Sequence, residues 1–122
     1  MGEIRDKVEL SFVGKDGLEV EAFFDSGATI TVIDREIAKK AELLISPTIV
    51  TFKTASGEEI QCNPAMGMIK IKGCLSPILA QIPIDKKLVE PVVIGLVQME
   101  LMGITLNPQE KSYSVSCKIP RI

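Results

Sequence analysis

Apolar and polar residues alternate at Val8, Leu10 and Phe12, and again at Leu18, Val20, Ala22 and Phe24, the two-residue period of half-buried strands. Between the two runs lies Gly14-Lys15-Asp16-Gly17, whose Asp-Gly pair predicts a hairpin turn. The second strand ends in Phe23-Phe24 and delivers the chain into Asp25-Ser26-Gly27-Ala28. The β-branched stretch 29–33 predicts a strand leaving that loop. Asp34 then has the place of a helix N-cap before residues 35–42, mostly good helix formers, and Pro47 bars any continuation.

A second β region follows, with strands predicted over 49–53, 59–62, 67–72 and 78–84 and a hairpin tip at Ala55-Ser56-Gly57-Glu58. Pro91 leads into Val92-Val93-Ile94-Gly95, an apolar strand that stops at a glycine. Residues 96–102 carry apolar side chains at helical spacing, and Gly103 suits the left-handed position after a helix. A further strand and turn over 104–108 precede a strand over 112–119, with Tyr113, Val115 and Cys117 on one face. The pattern is mainly β with two short helices and no internal linker.

At 122 residues the chain is expected to be one domain spanning 1–122, which excludes a two-lobed enzyme within a single chain. Fourteen basic against sixteen acidic residues, with five aromatic side chains, exclude nucleic acid as the expected partner. The chain has no histidine, which removes Ser-His-Asp and Cys-His catalysis and His-containing zinc sites. Acid–base chemistry therefore falls to carboxylates, Lys, Tyr or Cys. Cys62, Cys74 and Cys117 form no CxxC pair and are odd in number, so buried reduced thiols are expected. The charged start of the chain does not read as a signal peptide, and the longest apolar run, 91–97, is far short of a membrane span. These features predict a soluble cytoplasmic protein without membrane, metal or cofactor.

One carboxylate stands out. Asp25 follows an apolar run and precedes Ser-Gly, although Asp is disfavoured in strands and costly to bury unpaired. Taken alone, Asp-Ser-Gly is an ordinary strand-ending turn. In context, Phe23-Phe24-Asp25-Ser26-Gly27-Ala28-Thr29 resembles the active-site signature of aspartic proteases. Val92-Val93-Ile94-Gly95, followed by the helix over 96–102, resembles the second half of that fold in its retroviral form. Lys53-Thr54-Ala55-Ser56-Gly57-Glu58 sits between them, where that family keeps its flap. The chain thus resembles the retropepsin-like aspartic proteases over residues 8–119. With Asp-Ser-Gly-Ala, Gly-Leu, and Thr29 in place of the acidic residue of many retroviral enzymes, it is closest in motif to the cellular DNA-damage-inducible type.

The resemblance implies a single-lobe, closed β-barrel of the acid-protease type that works as a homodimer on polypeptide substrates. Asp25 would be catalytic, Ser26, Gly27 and Ala28 would complete the active-site loop, Ala55, Ser56 and Gly57 would form the flap tip, and Ile94 and Gly95 would brace the loop from behind. Peptide hydrolysis by this route needs two carboxylates around one water, sharing a proton, which places activity on the acidic side of neutrality. No other aspartate of the chain precedes Ser-Gly or Thr-Gly, so the second carboxylate would be Asp25 of another copy. An alternative keeps the fold and drops the activity, leaving a dimerisation or peptide-binding module.

Overall fold

Two strands that cannot bury a face alone pair first. β1 (Ile4–Ser11) and β2 (Leu18–Phe24) form the expected antiparallel hairpin, with Ile4 opposite Phe24 and Leu10 opposite Leu18. The computed structural model describes residues 3–12 and 16–117, so Gly14 and Lys15 of the expected turn, and Lys118 and Ile119 of the expected last strand, lie outside the described residues. Val8, Leu10, Ala22 and Phe24 are buried as the alternation requires. Phe12 departs from it: the strand ends at Ser11, and the phenyl ring stays on the surface.

After the Asp25 loop come β3 (Thr31–Ile33), α1 (Arg35–Lys40), β4 (Leu44–Ile45) and β5 (Val50–Lys53). Next are β6 (Glu59–Ile71), β7 (Cys74–Pro83), β8 (Val92–Ile94) and α2 (Leu96–Met102), then β9 (Ile104–Asn107) and β10 (Ser112–Val115). Six strands close on themselves in the order β1-β2-β8-β3-β7-β6, with Leu10 of β1 opposite Ile69 of β6 completing the ring. Val8, Leu10, Ile33, Ile69, Ile71, Ile82, Val92 and Ile94 fill its interior. The closed barrel and two short helices agree with the sequence reading. β9 and β10 form a separate two-stranded sheet.

Two expected strands, 59–62 and 67–72, are in fact one, β6, which runs unbroken through Pro64 and Gly67. Pro64 falls between the stretch paired with β5, which ends at Cys62, and the stretch paired with β4, which begins at Ala65. Its missing N–H therefore lies where one neighbour gives way to the next. Gly67 is there for space: a β-carbon would meet Leu43 Cδ2 at 2.5 Å and the Ser11 carbonyl oxygen at 2.7 Å. The barrel closes at this point because nothing projects from Gly67. Asp34 does occupy the N-cap position of α1, but its carboxylate makes no helix cap. Its Oδ1 accepts the Leu88 N–H at 2.9 Å, fastening the loop that leads to β8.

The cysteine expectation is corrected by the structure. Cys74 and Cys117 form a disulfide, with their Cα atoms 5.6 Å apart, while Cys62 is free and buried. The tight turn at Lys72-Gly73 and the β9–β10 hairpin bring the two residues together across 43 positions, a spacing that carries no local signal, and the odd count concealed one pair beside one single thiol. The same end of the barrel gathers around Tyr113. Its ring stacks on Phe24 at 4.5 Å between centroids, and its hydroxyl donates to Asp6 Oδ2 at 2.6 Å. Lys72 Nζ donates to the Tyr113 carbonyl at 2.6 Å and lies 3.9 Å from the ring centroid. On the opposite side of β1, Arg5 lies 4.8 Å from the Phe23 ring centroid and donates to Glu90, tying the first strand to the segment entering β8.

Burial, and then the Asp6 carboxylate, push the Tyr113 phenol well above its ordinary value. The folded chain therefore holds that proton more tightly than the unfolded one. The resulting stabilisation is complete below the ordinary phenol value of about 10 and is lost as pH climbs above it. Tyr113 is the only tyrosine and there is no tryptophan, so the phenolate absorbance reports it alone. That signal is expected to rise at distinctly higher pH in the folded protein than in urea, and Asp6→Ala is expected to lower its midpoint. The disulfide closes a long loop, and the loss of chain entropy in the unfolded state is worth roughly 3–4 kcal/mol. Urea unfolding with and without reductant, or of Cys74→Ala, is expected to show a loss of that order.

Candidate active site

The local sequence around Asp25 leaves its strand because of what comes next. Phe24, the last residue of β2, is opposite Ile94 of β8 in parallel register, and the Asp25 N–H still donates to the Ile94 carbonyl at 3.0 Å. The chain then turns. The Ala28 N–H reaches the Asp25 carbonyl at 3.1 Å, and the Gly27 N–H reaches Asp25 Oδ1 at 2.9 Å. The carboxyl group is thus oriented by the loop's own backbone, half-buried, at the end of a core strand. Ser26 and Gly27 are exposed beside it.

β8 holds the loop from the other side. It runs between β2 and β3, parallel to the first and antiparallel to the second, with Val32 opposite Val93. At its end Gly95 comes so near the loop that a β-carbon would lie 2.4 Å from both the carbonyl carbon and the oxygen of Ile30. Only glycine fits there. The Gly95 N–H donates to Thr31 Oγ1 at 3.0 Å in a buried setting. Leu96 and Val97, at the start of α2, donate to the carbonyls of Ala28 and Thr29 at 2.7 and 3.1 Å. The helix has no side-chain cap, so the Asp25 loop satisfies amides that its first turn leaves open. Asp25 to Ala28 and Ile94 to Gly95 are therefore brought together.

The hairpin tip at Ala55, Ser56 and Gly57 joins β5 to β6, with Lys53 opposite Glu59. Thr54 organises it: its N–H donates to the Glu58 carbonyl at 2.8 Å, its carbonyl accepts from Gly57 at 2.9 Å, and its hydroxyl lies 3.0 Å from Ser56 Oγ. Gly57 has a left-handed φ of 88°, which a side chain would resist. A cavity of about 640 Å³ lies between this hairpin and the Asp25 loop. Gly27, Ala28 and Val32 line one side, Phe52, Ile60 and Pro83 the other, with Lys53 and Lys86 also on its wall. Ala55, Ser56 and Gly57 do not line it. Lys86 pairs with Glu58 at 3.5 Å, a surface contact of small energetic weight.

The cleft wall also carries a thiol, that of Cys62. Burial pushes this thiol upward, against a weaker downward pull from Arg35, so it stays protonated at neutral pH. Arg35 instead serves the wall: Nη2 donates to Asn63 Oδ1 at 2.7 Å and Nε to the Pro83 carbonyl at 3.3 Å, and Asn63 in turn donates to the Thr48 carbonyl at 2.9 Å. Sequence reasoning placed Thr54 in the hairpin tip but missed the roles of Thr31 and Arg35. Thr31 sits in an unbroken β-branched run and gives no sign of its role.

Thr31→Val keeps the shape and leaves the buried Gly95 N–H without an acceptor, so a loss of about 1–3 kcal/mol is expected, with Thr31→Ser close to the natural protein. Gly95→Ala forces backbone against backbone and is expected to cost roughly 3 kcal/mol or more. Urea unfolding of the three variants checks the order.

Among the solved structures that resemble the chain, three retroviral-type proteins do so at identities that speak for the fold alone. The retroviral protease-like domain of Ddi1 from Leishmania major superposes with a TM-score of 0.70 at 15% identity, covering 95% of this chain and 90% of that one. The EIAV protease, solved with the inhibitor HBY-793, gives 0.64 at 13%, covering 86% and 92%. The simian foamy virus (mac) protease gives 0.55 at 21%, covering 84% and 99%. No curated protein matches the chain in sequence. The aspartyl protease family does match, over residues 8–77, more than half of the chain and a span that takes in the Asp25 loop and the 55–57 hairpin tip. By that match and by its retropepsin-like barrel, the chain belongs to the aspartyl protease family.

Proposed function

We propose that the protein is an aspartic endopeptidase, active as a homodimer, with Asp25 of each copy meeting across a two-fold axis. The observation that carries this reading is the Asp25 carboxyl itself, held half-buried by the Gly27 amide at the end of a core strand, in a loop whose Gly27 and Ala28 line an apolar cleft. Each chain offers one such group, and the chemistry needs two. One ionised carboxylate removes a proton from water, the protonated one donates to the substrate carbonyl oxygen, and the tetrahedral intermediate collapses as the amine leaves with a proton. A symmetric pair supplies both roles because charge repulsion keeps the two from ionising together.

Ser26, exposed next to Asp25, would face its counterpart near the axis, and Gly27 and Ala28 would leave room for the substrate backbone. The 54–58 hairpin would act as the flap, with Ala55, Ser56 and Gly57 at its tip. The apolar lining from Val32, Phe52, Ile60 and Val93 favours apolar side chains flanking the cut bond. No metal or cofactor enters this mechanism.

Asp25→Asn is expected to abolish peptide cleavage while leaving a folded dimer by sedimentation and circular dichroism. Cleavage retained in that variant refutes the assignment. A natural protein that dimerises, binds peptide and cuts none of a broad peptide library points instead to a binding module on the same fold, and a persistent monomer under assay conditions refutes the paired-carboxylate mechanism.

A further inference from the structure

A second concavity, of about 420 Å³, lies on the far side of the segment that walls the cleft. Strand alternation separates the two: Val32 lines the cleft, Thr31 lines the outer groove, and Ile30 at their common edge lines both. The groove is built from large apolar side chains left open to water. Met66 is 54% exposed, Leu79 60%, Val97 60% and Leu101 53%. Met66 and Leu79 are directly opposite each other on β6 and β7, and Val97 and Leu101 are one turn apart on α2, so the four form two facing walls rather than scattered surface residues. A concave apolar surface of this kind marks a binding site.

Its polar lining carries an unmet demand. Gln81, on the outer face of β7, lines the groove, and its Oε1 is buried without a hydrogen-bond partner among the described residues. A buried amide oxygen calls for a donor, and a peptide N–H is one. An occupant combining apolar side chains with backbone amides satisfies both features. Ile30 lines both cavities, so groove and cleft adjoin at that residue, and a polypeptide held in the cleft is the occupant nearest to the groove.

We propose that this groove is a secondary substrate site, which seats an apolar residue of the polypeptide being cut, outside the stretch held in the cleft. The proposal rests on the endopeptidase reading. It makes the protein selective for extended or unfolded polypeptides over short peptides, because only a long chain reaches cleft and groove together.

Oxidised insulin B chain and an octapeptide centred on a bond cut within it separate the two sites. Leu79→Glu is expected to lower kcat/KM on the B chain about tenfold, through KM, and to leave the octapeptide unchanged. Because Leu79 is exposed, unchanged octapeptide turnover also certifies the fold. Equal turnover of the B chain by Leu79→Glu and the natural protein overturns the groove and leaves the endopeptidase reading standing. Cleavage of neither substrate by the natural protein removes the endopeptidase reading itself. A change in sedimentation caused by Leu79→Glu makes the face a contact between copies, which also overturns the proposal.

Discussion

The strand β8 is three residues long, and the geometry around Asp25 depends on where it lies. It enters between β2 and β3, the two strands that the Asp25 loop connects, and so holds apart the ends of a loop that would otherwise close on itself. The insertion is permitted at one point by an absent side chain, Gly95 against the backbone of Ile30. From that contact follow the amide of Asp25 on the Ile94 carbonyl, the Thr31 hydroxyl on Gly95, and the loop carbonyls that complete the first turn of α2. Loop and helix are thereby one rigid unit, each supplying hydrogen bonds that the other lacks.

Much of this was legible because the signals are local. Alternation predicted the first hairpin, Asp-Ser-Gly marked the loop, and Gly103 marked the end of α2, where its φ of 64° is left-handed as expected. What stayed hidden depends on residues far apart in the chain. Pro64 and Gly67 look like strand breakers in isolation, and only the change of neighbour at one and the approach of Leu43 and Ser11 at the other show why β6 continues through both. Asp34 has the composition of a helix cap, but its carboxylate finds a better-placed donor in Leu88, more than fifty positions on. Lys72 lies over the only tyrosine. In each case the side chain's partner was set by topology rather than by spacing.

The chemistry of the cleft is narrowed by what its groups can do. There is no histidine in the chain, and the one thiol in the wall is held protonated by burial. The carboxyl of Asp25 is oriented by the backbone of its own loop, whose Gly27 and Ala28 line the cavity. The apolar walls on either side of residues 30–32 give one short segment two faces, one toward the cleft and one toward the outer groove. A displacement of that segment would be felt in both.

The bond between Cys74 and Cys117 has a topological consequence beyond stability. It makes a covalent ring of β7, β8, α2, β9 and β10, and the fully exposed Val89 lies on the loop within it. A backbone cut at Val89 would open the ring without dividing the molecule. The two pieces would migrate together until reduced, and β8 would keep its place between β2 and β3 through its ladder hydrogen bonds. The oxidised chain could thus be nicked there by a protease and still present Asp25 as before.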